Sequence, residues 1–281
     1  MSEDHGRLRF LRRAGDPSRR RFRRGVALLP SLFTVANLFC GYACIVYAMR
    51  GEYETAAPFI GFAIVLDMLD GRIARLTGTA SDFGVEFDSL ADVISFGVAP
   101  AILSFAWGLS SLGRLGWAAG FLFVTAAAMR LARFNIQHAS AGDKRYFVGM
   151  PSPAAAAVPA ATVFAFPAGI FDRQQALLAL PMVIVPALLM VSTIRFRSFK
   201  TIDLKMRRPY TVLFLIAAGI VAVVTHPRYV LVAIAYTYLL SAFIGMALSR
   251  FRHRGGHAAT EAPVASQPGA PTRRSKGRPA N

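Results

Sequence analysis

Asp67, Asp70, Asp88 and Asp92 are the residues whose type and placement in this 281-residue chain call for chemistry. All four fall within stretches apolar enough to cross a bilayer, where a carboxylate costs about 3 kcal/mol to insert and so faces a cavity or a partner. At 100° per residue, Asp67, Asp70, Gly71 and Ala74 span about 100° of one helix face. Gly84, Asp88 and Asp92 span about 80° of the next. A short connector makes the two helices antiparallel neighbours, so the four carboxylates can converge near the cytoplasmic ends. Gathered acids repel unless something positive neutralises them, and oxygen-only ligands favour Mg²⁺ or Mn²⁺ over zinc. Gly71, Ala74 and Gly84 are small enough to let a ligand approach the backbone, and Arg75 is placed to meet a phosphate. Paired metals, small walls and a cation suit phosphoryl or phosphodiester transfer, with one carboxylate taking the proton of an attacking hydroxyl. An ion-coupled transporter is the rival use of buried acids, and it leaves the Gly, Ala and Arg positions without a purpose.

The elements that must carry these residues are membrane helices. The chain is 54% hydrophobic and only 17% charged, with a mean hydropathy of +0.44, which excludes an ordinary soluble enzyme. Eight candidate spans run over residues 30–49, 55–76, 84–107, 113–136, 152–171, 175–194, 209–225 and 228–249. The expected fold is an all-α integral membrane bundle over residues 27–250. It is flanked by a basic tail at 1–26 and a Pro/Gly/Arg-rich tail at 251–281, both expected to be disordered. The net charge of +17 invites a nucleic-acid partner, but the basic residues lie in tails and connectors beside apolar spans. Twenty-eight of the 32 Lys and Arg fall on one side of the predicted topology, which places both termini and the acidic site in the cytoplasm and the charge against membrane lipids. Cys40 and Cys44, an i, i+4 pair in an apolar run, read as packing rather than as a disulfide or a metal site.

The run Asp67-Met68-Leu69-Asp70-Gly71-Arg72-Ile73-Ala74-Arg75, followed by Gly84, Asp88 and Asp92, reads D-x-x-D-G-x-x-A-R, eight residues, G-x-x-x-D-x-x-x-D. It resembles the signature of the CDP-alcohol phosphotransferase family at every fixed position. The resemblance implies a membrane-embedded helical bundle in which Asp67, Asp70, Asp88 and Asp92 hold two divalent ions and Asp92 is also the general base. It further implies that Gly71, Ala74, Arg75 and Gly84 line the cytidine-diphosphate site, with Ser81 offering it a hydroxyl. Within the family, the segments Leu32–Gly41, Phe87–Pro100, Arg130–Asn135 and Phe147–Ala154 are similar to the bacterial membrane-type phosphatidylserine synthases. Ser31 departs from that pattern, which has Asn after the proline. The implied reaction moves a phosphatidyl group from CDP-diacylglycerol to L-serine at the bacterial inner membrane, in a homodimer.

The acceptor pocket is less determined. Serine brings a carboxylate and an ammonium, and Arg130, Arg133 and Asn135 are candidates for its carboxylate or for the lipid phosphate. Snorkelling of the arginines to headgroups is the competing reading. Thr34 and Asn37, one turn apart on the first span, either face the CDP-diacylglycerol cavity or join helices. Glycerol 3-phosphate, inositol phosphate or choline would serve the same chemistry as acceptor; the phosphorylated ones call for more cations, and choline for an aromatic box.

Overall fold

A computed structural model describes residues 17–77, 82–139, 147–192, 195–196 and 209–255. Helix α1 (Pro17–Met49) begins inside the segment read as a basic tail. Proline is tolerated at a first helical position and arginine is a good helix former, so nothing in that basic run stops the helix. Gly51, at φ +78°, reverses the chain into α2 (Tyr53–Thr77). Helices α1 and α2 pack along each other, and both carry small buried residues (Cys44, Ala48, Ala56, Ala57 and Ala63) of the kind that lets backbones approach closely. Both cysteines are free and buried in this packing.

Helix α3 (Asp82–Val93), a π-helical turn (Ile94–Val98) and α4 (Ala99–Trp107) form one continuous rod. After a 3₁₀ turn comes α5 (Arg114–Ala139), then α6 (Ser152–Ala165), the broken pair α7 (Arg173–Ala179) and α8 (Pro181–Val191), α9 (Pro209–Thr225) and α10 (Pro227–Gly255). The only strands among the described residues are β1 (Phe147–Val148) and β2 (Arg195–Phe196), which pair antiparallel with Phe147 opposite Phe196. Next to them Gly149 takes φ +90°, and a Cβ there would stand 2.5 Å from the Met190 carbonyl oxygen. That close approach seats the segment before α6 on the end of α8.

The architecture is the expected membrane bundle. Ser31–Met49, Phe83–Trp107, Arg114–Ile136 and Arg173–Val191 are, among the described residues, the stretches long and apolar enough to cross a membrane. Among the described residues, the count of eight is not reached by length and composition. Helix α2 carries Glu54, Asp67, Asp70, Arg72 and Arg75, while α6 has 14 residues and α9 has 17. The outer surface is strongly apolar, with Phe39, Phe62, Trp117 and Phe121 exposed, as lipid-facing positions require.

The helices carrying the acids are neighbours, as the short connector implies. Helix α3 packs on α1 and α5, whereas α2 packs along α1 and approaches the rod at its π-helical turn and α4. Helix α1 thus stands against both acid-bearing helices and supplies the polar groups that meet their carboxylates.

Candidate active site

Asp67 on α2 and Asp88 and Asp92 on α3 each offer a carboxylate oxygen within 4.8 Å of the others. Asp70, one turn along α2 from Asp67, is buried and accepts a hydrogen bond from Thr34 Oγ1 at 2.6 Å. Asn37 Nδ2 donates to Asp92 Oδ1 at 3.1 Å. Thr34 and Asn37 therefore bridge α1 to two of the acids. Both are nearly inaccessible, at 3% and 1% exposure.

The donor set suits a hard divalent cation. Three carboxylates gathered at this separation are tolerated in a half-buried setting when positive charge lies between them. Among the described residues, the buried side-chain oxygens left without a hydrogen-bond partner are Asp88 Oδ1 and Asn37 Oδ1. Both lie on residues of this cluster, and an unsatisfied oxygen at depth is costly unless an ion or its hydration shell meets it.

Arg130 on α5 lies within electrostatic reach of Asp67 and Asp92. Its Nη1 donates to Ser152 Oγ at 2.6 Å, and its guanidinium stands 5.6 Å from the Phe134 ring centre. These contacts anchor Arg130 inside the protein, against the snorkelling alternative. A guanidinium has five N–H donors, so others remain for a ligand. Arg133 is exposed, which separates it from Arg130. Asn135 Nδ2 donates to Ser89 Oγ at 3.0 Å, tying α5 to the residue beside Asp88.

Gly71 is exposed and Gly84 half-buried, at the facing ends of α2 and α3. Ala74 and Arg75 continue α2, while Ser81 lies outside the described residues. Three serines missed in the sequence are part of the site's support: Ser89, Ser95 and Ser152. Ser95 and Ser152 are both fully buried, and Ser95 Oγ donates to the Asn37 carbonyl at 2.9 Å. A serine three residues after Asp92 within an apolar span was the available signal for Ser95. Nothing in the sequence joins Ser152 to Arg130, 22 positions earlier.

The sequence model of the CDP-alcohol phosphatidyltransferase family matches residues 27–194, which takes in the acid cluster, its α1 supports and Arg130. A Helicobacter pylori protein named CDP-diacylglycerol–serine O-phosphatidyltransferase is 40% identical over 185 residues, covering 64% of this chain and 76% of that one. A Mycobacterium leprae protein of the same name is 43% identical over 145 residues, 50% of this chain and 48% of its own. One from Saccharomyces cerevisiae is 34% identical over 174 residues, covering 54% and 62% respectively. With the family match spanning more than half of the sequence and the acid cluster assembled on its helices, the chain belongs to the CDP-alcohol phosphatidyltransferase family.

Proposed function

We propose that this protein transfers the phosphatidyl group of CDP-diacylglycerol to the hydroxyl of L-serine, giving phosphatidylserine and CMP. The observation that carries the reading is the convergence of Asp67, Asp88 and Asp92 at the junction of α1, α2 and α3 in a chain of this family. The names of its relatives supply the acceptor.

Asp67, Asp70, Asp88 and Asp92 would hold two Mg²⁺ or Mn²⁺ ions, with Thr34 and Asn37 fixing the rotamers of Asp70 and Asp92. Bound there, the ions would neutralise the diphosphate and the charge that builds up on the leaving phosphate. Asp92 accepts the proton of the serine hydroxyl as its oxygen attacks the phosphatidyl phosphorus. The bond from that phosphorus to the bridging oxygen breaks, and CMP leaves with the electron pair. Gly71, Ala74, Arg75, Ser81 and Gly84 form the nucleotide side of the site. Arg130 takes the serine carboxylate, assisted from the cytoplasmic side by Arg133, while Asn135 secures α5 to α3. The enzyme resides in the bacterial inner membrane with both termini and the site facing the cytoplasm. It works as a homodimer, with acyl chains remaining in the bilayer.

Purified protein in detergent, given CDP-diacylglycerol and Mn²⁺, tests the reading through CMP release with L-serine, glycerol 3-phosphate, inositol phosphate or choline. Release with serine alone, abolished in Asp92→Asn, is the expected result. Release with another acceptor would retain the reaction and replace the substrate, and no release from folded protein would reject the enzyme reading.

A further inference from the structure

We propose that Asn37, held from behind by Ser95 at the π-helical turn, is a positioning residue that fixes the carboxylate of Asp92 by engaging its Oδ1 and leaving Oδ2 for the reaction. The inference rests on the assignment of Asp92 as base and adds what aims it. Rotation about the last bond of an aspartate side chain is broad and nearly two-fold, so an unsupported carboxylate presents either oxygen. Here the Asn37 amide donates to Oδ1 at 3.1 Å from a position that is 1% exposed.

The amide is itself held. Ser95 Oγ donates to the Asn37 backbone carbonyl at 2.9 Å, so α3 and the turn after it grip one α1 residue at both side chain and main chain. Gly41, one turn further along α1, makes that approach possible. A Cβ on Gly41 would lie 2.6 Å from Ser95 Oγ and 2.9 Å from Ser95 Cα. The rod changes from α to π winding between Asp92 and Ser95, where Ala99 N–H reaches back five residues to the Ile94 carbonyl. Such turns widen the helix locally and recur at functional sites. Asn37, Gly41, Ser95 and the turn all lie outside the eight-residue signature, yet they meet at its last aspartate.

The test compares full-length Asn37→Ala, Ser95→Ala, the double variant and Asp92→Asn. Outer support of this kind is worth roughly 10–100-fold in metal affinity or activity. Asn37→Ala is expected to lower kcat by about that factor. Its KM values for CDP-diacylglycerol and L-serine should stay at wild-type levels. Titration with Mn²⁺ alone, followed by electron paramagnetic resonance, should show a Kd about tenfold weaker. Ser95→Ala should move both quantities the same way by less, and the double variant should be no worse than Asn37→Ala, because the two residues act as one unit. Unchanged kcat and Mn²⁺ affinity in Asn37→Ala, with Asp92→Asn inactive, would overturn the positioning role and keep the base. Turnover by Asp92→Asn would remove the base and this inference with it. A kcat loss that tracks a lower melting temperature and multiplies in the double variant would assign Asn37 to packing and overturn the proposal. Should Asn37→Ala fail to fold, Ser95→Ala, which removes one hydroxyl, decides on the same readouts.

Discussion

At the scale of single residues, the site depends on who supports the acids as much as on the acids. Thr34→Val keeps the shape of the side chain and deletes the hydrogen bond to Asp70. It is expected to lower turnover about tenfold without altering the KM for serine, measured by CMP release. Arg130 is different, because it offers donors beyond the one it gives Ser152. Arg130→Lys retains the charge but loses the planar fork that matches a carboxylate, so the KM for L-serine should rise by about tenfold or more while that for CDP-diacylglycerol holds. The aspartates were legible in the sequence because i, i+3 and i, i+4 spacing on a helix is fixed geometry. Thr34 and Asn37 were legible only as polar residues in a span. Whether they point at a ligand or at Asp70 and Asp92 depends on how α1 is rotated, and hydropathy does not encode that rotation.

At the scale of elements, the helices were readable from apolar length and the closeness of α2 to the following rod from its short connector, but the place of α1 against both was not. The short connector after Thr77 implied that α2 neighbours the rod that follows, and it does so at the π-helical turn and α4, while α3 also lies on α1 and α5. Small residues accompany that placement: alanines and cysteines lie buried on α1 and α2, and Gly41 gives α1 room for the π-helical turn. Gly41→Ala places a methyl group against Ser95 backbone and side chain together. Overpacking of this sort costs about 1–3 kcal/mol, and a melting temperature lowered by several degrees in detergent would register it. Gly61→Ala on α2 is the matching control, since a Cβ there meets nothing within 4 Å. Removing a mid-helix glycine should leave stability unchanged or raise it by about 0.5–1 kcal/mol. The π-helical turn itself had no sequence signal, because residues 93–107 read as one largely apolar stretch whichever way they wind.

At the scale of the whole molecule, the bundle is held by small-residue packing and a few buried polar contacts, with little help from surface charge. Arg228 on α10 pairs with Glu54 on α2, but both side chains are exposed, at 43% and 62%. Arg228→Gln should therefore change stability by less than about 1 kcal/mol. The acid cluster is the larger reserve. A cation that binds the folded state at 100 times its Kd adds about 2.7 kcal/mol by mass action, so Mn²⁺ should raise the melting temperature and a chelator should reverse it. The same titration on Asp88→Asn should show a much smaller shift.

The place of α1 in chain order has a consequence for biogenesis. A membrane protein is delivered to the bilayer from its N-terminus onwards, and two later helices each bring carboxylates that lipid does not tolerate. Thr34 and Asn37, which meet Asp70 and Asp92, sit on α1, which emerges before α2 and α3. Each acid-bearing segment thus enters a membrane where its hydrogen-bond partner is already waiting, and the order of synthesis is also the order in which the difficult insertions become feasible.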